Sequence, residues 1–212
     1  MNIALFGASG MIGQRILAEA TRRGHTVTAI GRNPSKLAES HPGIAAVASN
    51  VLDPQQVAAA VAGHDAVVSS IAPRHDSPED LPNATRSLIA GLAQAGVKRL
   101  VIVGGAGSLY VAPGVQLVDT PAIPDEWRPM VLAHRSSLDL LRAEGGALEW
   151  SFFSPAGLIR PGERTGTFRL GLDELITDAQ GNSSISAEDY AVALLDELEQ
   201  PKHIRQRFTI GY

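Results

Sequence analysis

A chain of 212 residues with 44% hydrophobic and 19% charged side chains can bury a core without staples, and its lack of cysteine excludes disulfides, thiolate metal sites and a cysteine nucleophile. The net charge is −4 and no run of Lys and Arg occurs, so nucleic acid has no electrostatic foothold. No apolar run approaches the roughly 18–20 residues of a membrane span and no charged leader precedes the first apolar run, so a cytoplasmic protein without membrane or metal is expected.

Asn2 to Phe6 is a short apolar run, as in a strand buried on both faces. Gly7, Gly10 and Gly13 follow at the spacing G-x-x-G-x-x-G. An amphipathic segment then runs from Met11 to Arg23, with Ile12, Ile16, Leu17 and Ala20 on one face. Strand, glycine turn and helix together open a dinucleotide-binding βαβ unit. Gly7 permits the tight turn, Gly10 lets the backbone approach a pyrophosphate, and Gly13 lets the helix pack close to the strand. The stretch Gly7, Ala8, Ser9, Gly10, Met11, Ile12 and Gly13 is therefore the expected phosphate site, facing free N–H groups and the positive end of a helix dipole.

Gly24 stops the first helix, and His25 to Ile30 reads as a second strand. An NAD-preferring fold places an Asp or Glu just beyond this strand, for the ribose 2′-OH. Here Arg32 stands in that region. A guanidinium can hold the 2′-phosphate of NADP, at about 1.5–3 kcal/mol per charge-assisted bond, hence roughly 10- to 100-fold preference. A solvated surface arginine is the alternative.

Pro34 starts a helix over Ser35 to Ser40, and Ile44 to Ala48 is a third strand. Asn50, Leu52 and Asp53 leave it where a doubly wound sheet borders the adenine. Asp53 either meets the exocyclic amine or caps the helix Gln55 to Ala62, and the two roles are compatible. Asp65 to Ser69 is a fourth strand, and Ser70, Ile71 and Ala72 should lie beside the nicotinamide ribose. His75 and Asp76 read as solvent groups of a polar loop. Ala84 to Ala95 is an amphipathic helix, and Lys98 to Val103 is a fifth strand.

This alternation predicts an α/β fold, a doubly wound parallel sheet with helices on both faces and the cofactor along one edge. Gly104 leaves the fifth strand on that edge. Ser108 stands in the segment that carries a substrate-polarising serine in dehydrogenases of this architecture, or in a glycine-rich loop with unusual backbone angles. Residues 110 to 126 have little periodicity and form a long connection expected to overhang the nicotinamide. Trp127 to Arg142 is a helix and Leu148 to Ser154 a sixth strand, with Pro155 and Ala156 turning out near the cofactor.

Residues Ile159 to Gly171 are rich in Gly, Pro and Arg and read as a loop or hairpin that closes over the site. Arg160, Arg164 and Arg169 either receive an anionic substrate group or form a solvated rim. Ser186 to Asp189 caps a helix running to Glu199, and Arg207 to Ile210 is a final strand. One domain is expected over 1–212, with a cofactor-binding core at 1–157 and a C-terminal segment at 158–212 on the substrate side.

The segments GASGMIG (Gly7–Gly13), VGGAGSL (Val103–Leu109), SPAGLIRPGERTGTFRLG (Ser154–Gly171) and ISAEDYAVALLDELE (Ile185–Glu199) make the whole chain resemble the atypical short-chain dehydrogenase group. That group includes the NADH–flavin reductase, flavin/biliverdin reductase and NmrA-like proteins. The resemblance implies a monomeric or homodimeric Rossmann-like domain that binds NAD(P)(H), with reductase activity on a small-molecule acceptor.

Ordinary short-chain dehydrogenases use Tyr-x-x-x-Lys to protonate a carbonyl oxygen. Here the lysines are Lys36, Lys98 and Lys202 and the tyrosines Tyr110, Tyr190 and Tyr212, none at that spacing. Flavins, quinones and linear tetrapyrroles accept hydride without an activated tyrosine, because the charge left behind is delocalised and water supplies the proton. An NADP(H)-dependent reductase of such an acceptor is the leading expectation, with flavin as substrate rather than resident cofactor. His134, on the helix where the tyrosine would lie, is a candidate proton donor or acceptor, or a histidine with a structural hydrogen bond, and Ser137 is a further candidate. A non-catalytic NADP(H) sensor is the alternative, followed by an epimerase.

Overall fold

The computed structural model describes residues 1–212, the side chain of residue 40 excepted. Strands and helices alternate through the first five units: β1 (Asn2–Phe6), α1 (Met11–Arg22), β2 (Thr26–Gly31), α2 (Pro34–Ser40), β3 (Ala45–Ala48), α3 (Pro54–Val61), β4 (Ala66–Ser69), α4 (Asp80–Ala95) and β5 (Arg99–Val103). A short hairpin, β6 (Tyr110–Ala112) and β7 (Val115–Gln116), precedes α5 (Arg128–Glu144) and β8 (Glu149–Ser154). The last third holds β9 (Leu158–Arg160), β10 (Arg169–Gly171), β11 (Ser184–Ser186), α6 (Ala187–Glu199) and β12 (Gln206–Gly211).

Eight strands form one sheet in the order β10-β12-β8-β5-β4-β1-β2-β3, parallel except for β10. The strand order reverses at β1, which lies between β2 and β4. Side chains alternate across the sheet, so β1 feeds both cores: Ile3 and Leu5 pack with α1 and α6, Ala4 and Phe6 with α3, α4 and α5. Each large apolar side chain so buried contributes roughly 1.5–3 kcal/mol. On the α6 side, Phe153 stacks on Tyr190 and Phe208 at centroid distances of 4.1 and 4.0 Å. The Tyr190 hydroxyl is satisfied by donating to the Phe153 carbonyl at 2.6 Å.

Two connections hold more regular structure than their composition suggests, and the first is residues 110 to 126. Their first part is the β6–β7 hairpin, docked onto the chain after β10: Tyr110 N–H donates to Asp173 O at 2.8 Å and Leu175 N–H to Tyr110 O at 2.9 Å. A hairpin this short carries too few residues to show a period.

The second, Ile159–Gly171, is anchored along its length. β9 pairs with β11, and β10 adds to β12 as the sheet's antiparallel edge. Between them Gly162 N–H donates to Glu188 at 2.7 Å, Thr165 and Gly166 donate to Asp189 at 2.6 and 2.8 Å, and Arg164 pairs with Glu19 of α1 at 2.9 Å. These bonds strap the segment onto α1 and α6. The C-terminal residues 158–212 therefore also complete the core, through α6 and β12.

Candidate functional site

The loops after β1 and β4 meet where the strand order reverses. Gly7 has φ +81°, and a Cβ there would fall 2.4 Å from the Ser70 carbonyl oxygen. A Cβ on Gly13 would fall 2.0 Å from the Gly7 carbonyl oxygen. Both positions demand glycine for packing alone. Gly10 differs, because its Cβ would meet nothing nearer than 3.4 Å. The protein leaves a cradle in front of Gly10 that a methyl group would fill.

The helix behind that cradle is uncapped. Gly10 is its N-cap with no side-chain hydrogen bond, and the first helical bond runs from Gln14 N–H to Gly10 O at 2.9 Å. Among the described residues, the N–H groups of Met11, Ile12 and Gly13 have no acceptor. No carboxylate sits in the first turn to repel an anion. Ala8 is buried beneath the turn, whereas Ser9 and Met11 are exposed around its mouth, with Ile12 half-buried. The residues present thus fit a diphosphate, which would hold these amides at the α1 terminus.

Arg32 is exposed directly after β2 and, among the described residues, has no ion-pair partner. Ser49 N–H donates to Gly31 O at 3.1 Å, which brings Asn50 into the same neighbourhood, and Leu52 is 42% exposed beyond it. Asp53 caps α3: its carboxylate accepts from Gln55 N–H at 2.9 Å, Gln56 N–H at 3.3 Å and Gln56 Nε2 at 2.8 Å. Those bonds, led by the Gln56 side chain, hold the carboxyl below the usual range. Of the two roles open to Asp53, the structure displays the cap.

Along the same edge, Ile71 is half-buried and Ala72 exposed after β4. Gly104 N–H donates to Phe153 O at 2.8 Å, and a Cβ on Gly104 would fall 2.2 Å from the Phe152 ring. Pro155 and Ala156 are buried at the exit of β8. His134 of α5 covers the glycines, since a Cβ on Gly105 would fall 2.9 Å from His134 Cγ. Its Nδ1 is buried and lacks a hydrogen-bond partner, and burial pushes its pKa down to about 4. The imidazole is neutral at pH 7.

The other two candidate catalytic hydroxyls are buried and bonded within the protein. Ser108 is 3% exposed, and both its carbonyl and its Oγ accept from Arg207 Nη1, at 2.9 and 3.0 Å. Arg207 is a buried β12 residue that also pairs with Asp173. Ser108 of the loop after β5 is thus held by a buried arginine. Ser137 is fully buried and donates to Ala133 O at 3.0 Å within α5. Arg164 and Arg169 are likewise committed, the former to Glu19 and the latter to the carbonyls of Thr177 and Tyr212. Arg160 alone of the three is exposed with no side-chain hydrogen bond or ion pair among the described residues.

One pair escaped the sequence reading. His75, from the β4–α4 connection, meets Trp127 at the start of α5 edge to face, with ring centroids 5.4 Å apart. No periodicity links residues so distant, and Trp127 reads in the sequence only as the beginning of a helix. Among the described residues no group of three His, Cys, Asp or Glu is placed to hold a metal, and no helix is long and apolar enough to cross a membrane.

A doubly wound sheet, an uncapped helix at its reversal point and a glycine cradle before that helix define a Rossmann-like dinucleotide-binding fold. The chain belongs to the NAD(P)H-binding family, whose model matches residues 7–201. Among solved structures it resembles one from Burkholderia pseudomallei called a "putative exported protein", at 52% identity and TM-score 0.91 over all of both chains. It resembles equally well in shape (TM-score 0.91) a "putative epimerase" of Bacteroides thetaiotaomicron, 44% identical, over 100% of this chain and 96% of that one. The "putative NADH-flavin reductase" of Streptococcus pneumoniae TIGR4 is 35% identical, with TM-score 0.85 over 100% and 99% of the two chains.

Proposed function

We propose that this chain is an NADP(H)-dependent reductase that passes hydride to a flat conjugated acceptor such as a flavin or a quinone. The observation that carries this reading is the wall beside Gly104 and Gly105: its ionisable side chain is His134, neutral and, among the described residues, without a hydroxyl or lysine partner. Bound NADPH would supply the hydride. The amides of Met11, Ile12 and Gly13 would hold its diphosphate, Arg32 its 2′-phosphate, and the Ser70–Ala72 backbone its inner ribose.

An imidazole with a pKa near 4 carries no proton to give as a strong acid at pH 7. His134 can still offer or accept a hydrogen bond while solvent provides the proton. A carbonyl substrate needs more than that, and a flavin or quinone does not. The epimerase reading lacks its tyrosine: Tyr190 is buried against Phe153, Tyr110 sits on the hairpin, and Tyr212 donates to Asp189.

Incubation with NADPH or NADH and a panel of FMN, riboflavin, quinones and biliverdin tests the reading. Oxidation of NADPH well above background with at least one acceptor is expected. No oxidation with any of them would refute it. One observation favours a non-catalytic NADP(H) sensor instead, namely the burial of Ser108 against Arg207. Equal affinity for NADP and NADPH without turnover would select that alternative.

A further inference from the structure

In the reductase reading the hydride donor would lie beside Gly104 and Gly105, and His134 of α5 covers Gly105. The helix follows β5 and precedes the parallel strand β8, so it runs against the strand direction and its N-terminus projects past the cofactor edge of the sheet. Trp127 precedes His134 by seven residues, about 10 Å along the helix axis at 1.5 Å per residue. It is 49% exposed, unusually open for so large an apolar group.

The indole N–H is already satisfied, donating to Glu126 Oε1 at 3.0 Å. What remains free on Trp127 is ring surface, which recognises by stacking rather than by hydrogen bonding. Polar contacts flank both members of the aromatic pair. Arg74 holds the His75 turn through Asp76 and Asp80, each at 3.3 Å, and through Ser77 at 2.9 Å. Arg128 fixes the start of α5 by pairing with Asp125 at 3.4 Å and donating to the Val118 carbonyl. A preorganised aromatic surface loses little freedom when a ligand arrives.

We propose that Trp127, backed by the edge contact with His75, is the outer platform on which the far end of a fused-ring acceptor stacks. This rests on the reductase reading and narrows it. The span from His134 to Trp127 matches a fused three-ring system, whereas a single-ring quinone held at His134 does not reach the indole. Trp127 is then a specificity-determining residue that favours flavin-like over small quinone acceptors.

The test compares riboflavin with p-benzoquinone as acceptors for NADPH, using the native chain, Trp127→Ala and Trp127→Phe. Trp127→Ala should raise KM for riboflavin about five- to tenfold more than KM for benzoquinone, and Trp127→Phe should recover most of the difference. Equal changes for both acceptors would overturn the proposal. A second readout needs no turnover. Riboflavin added with NADP should quench the native tryptophan emission strongly, and the emission left in Trp127→Phe, from buried Trp150, much less. If no acceptor is reduced, the reductase reading fails by itself. Quenching confined to Trp127 would then still uphold the platform, and its absence would remove it.

Discussion

The carbonyl oxygen of Gly7 occupies the place a Gly13 side chain would need, 2.0 Å from where its Cβ would stand. Gly10, midway between them, is free of such constraint, with its nearest neighbour at 3.4 Å. Gly13→Ala should therefore cost about 1–3 kcal/mol of stability through forced displacement of the turn. Gly10→Ala should melt close to the native chain but bind NADPH and NADH at least tenfold more weakly. Thermal unfolding and dinucleotide titration of the two variants separate packing from ligand approach. Equal binding by Gly10→Ala and the native chain would show that the cradle is empty of function.

Among the described residues Arg32 has no ion-pair partner to lose, so its replacement should leave folding unchanged. Arg32→Glu is predicted to weaken NADPH roughly 10- to 100-fold more than NADH, since the carboxylate would repel the 2′-phosphate that the guanidinium attracts. Parallel titrations with the two dinucleotides check this, and an equal loss for both would dismiss Arg32 as the phosphate reader.

His134 ties stability to pH. In the unfolded chain it takes up a proton near 6.5, in the folded protein only near 4, because burial disfavours the charged ring. The unfolded state therefore binds more protons between those values, and stability should fall by about 2–3 kcal/mol as pH drops from 6.5 to 4, with no contribution above pH 7. Melting temperatures across that interval should slope more steeply for the native chain than for His134→Gln. Identical slopes would mean that the ring is solvated.

The strap over α1 depends on Glu19, which is 5% exposed and pairs with Arg22, Arg23 and Arg164. Hydrogen bonds from these arginines, Arg22 foremost, hold its carboxyl well below the usual range. Their stabilisation is thus present above pH 4.5 and is lost as pH falls through the lowered pKa. Arg22 and Arg164 are half-exposed, and Arg23 keeps Asp196 and Glu199, so Glu19→Gln should cost only about 1–2 kcal/mol. Limited proteolysis near Thr165 should quicken in the variant. An unchanged digestion rate would indicate that Glu188, Asp189 and the strand pairing hold the segment without Glu19.

The sequence discloses the parts of this molecule that obey local rules. The glycine spacing and the apolar run at Asn2–Phe6 report demands the backbone makes on its own residues, and the alternation to β5 follows from period and caps. Ser186 could be read as a cap for the same reason, and it accepts from Asp189 N–H at 3.0 Å. Ser108 and Arg164 could not be read this way, because their partners lie 99 and 145 residues away and leave no local pattern. Trp127 and His75 are hidden likewise: each is an ordinary loop or helix-end residue until the fold sets their rings together.

The account stands on the claim that the free amides at the start of α1 hold a dinucleotide's diphosphate. Amide NMR spectra recorded while NADPH is added test this directly. The largest shifts are predicted at the N–H groups of Met11, Ile12 and Gly13, with smaller ones at Arg32. Unmoved resonances at those three amides under saturating NADPH would contradict it.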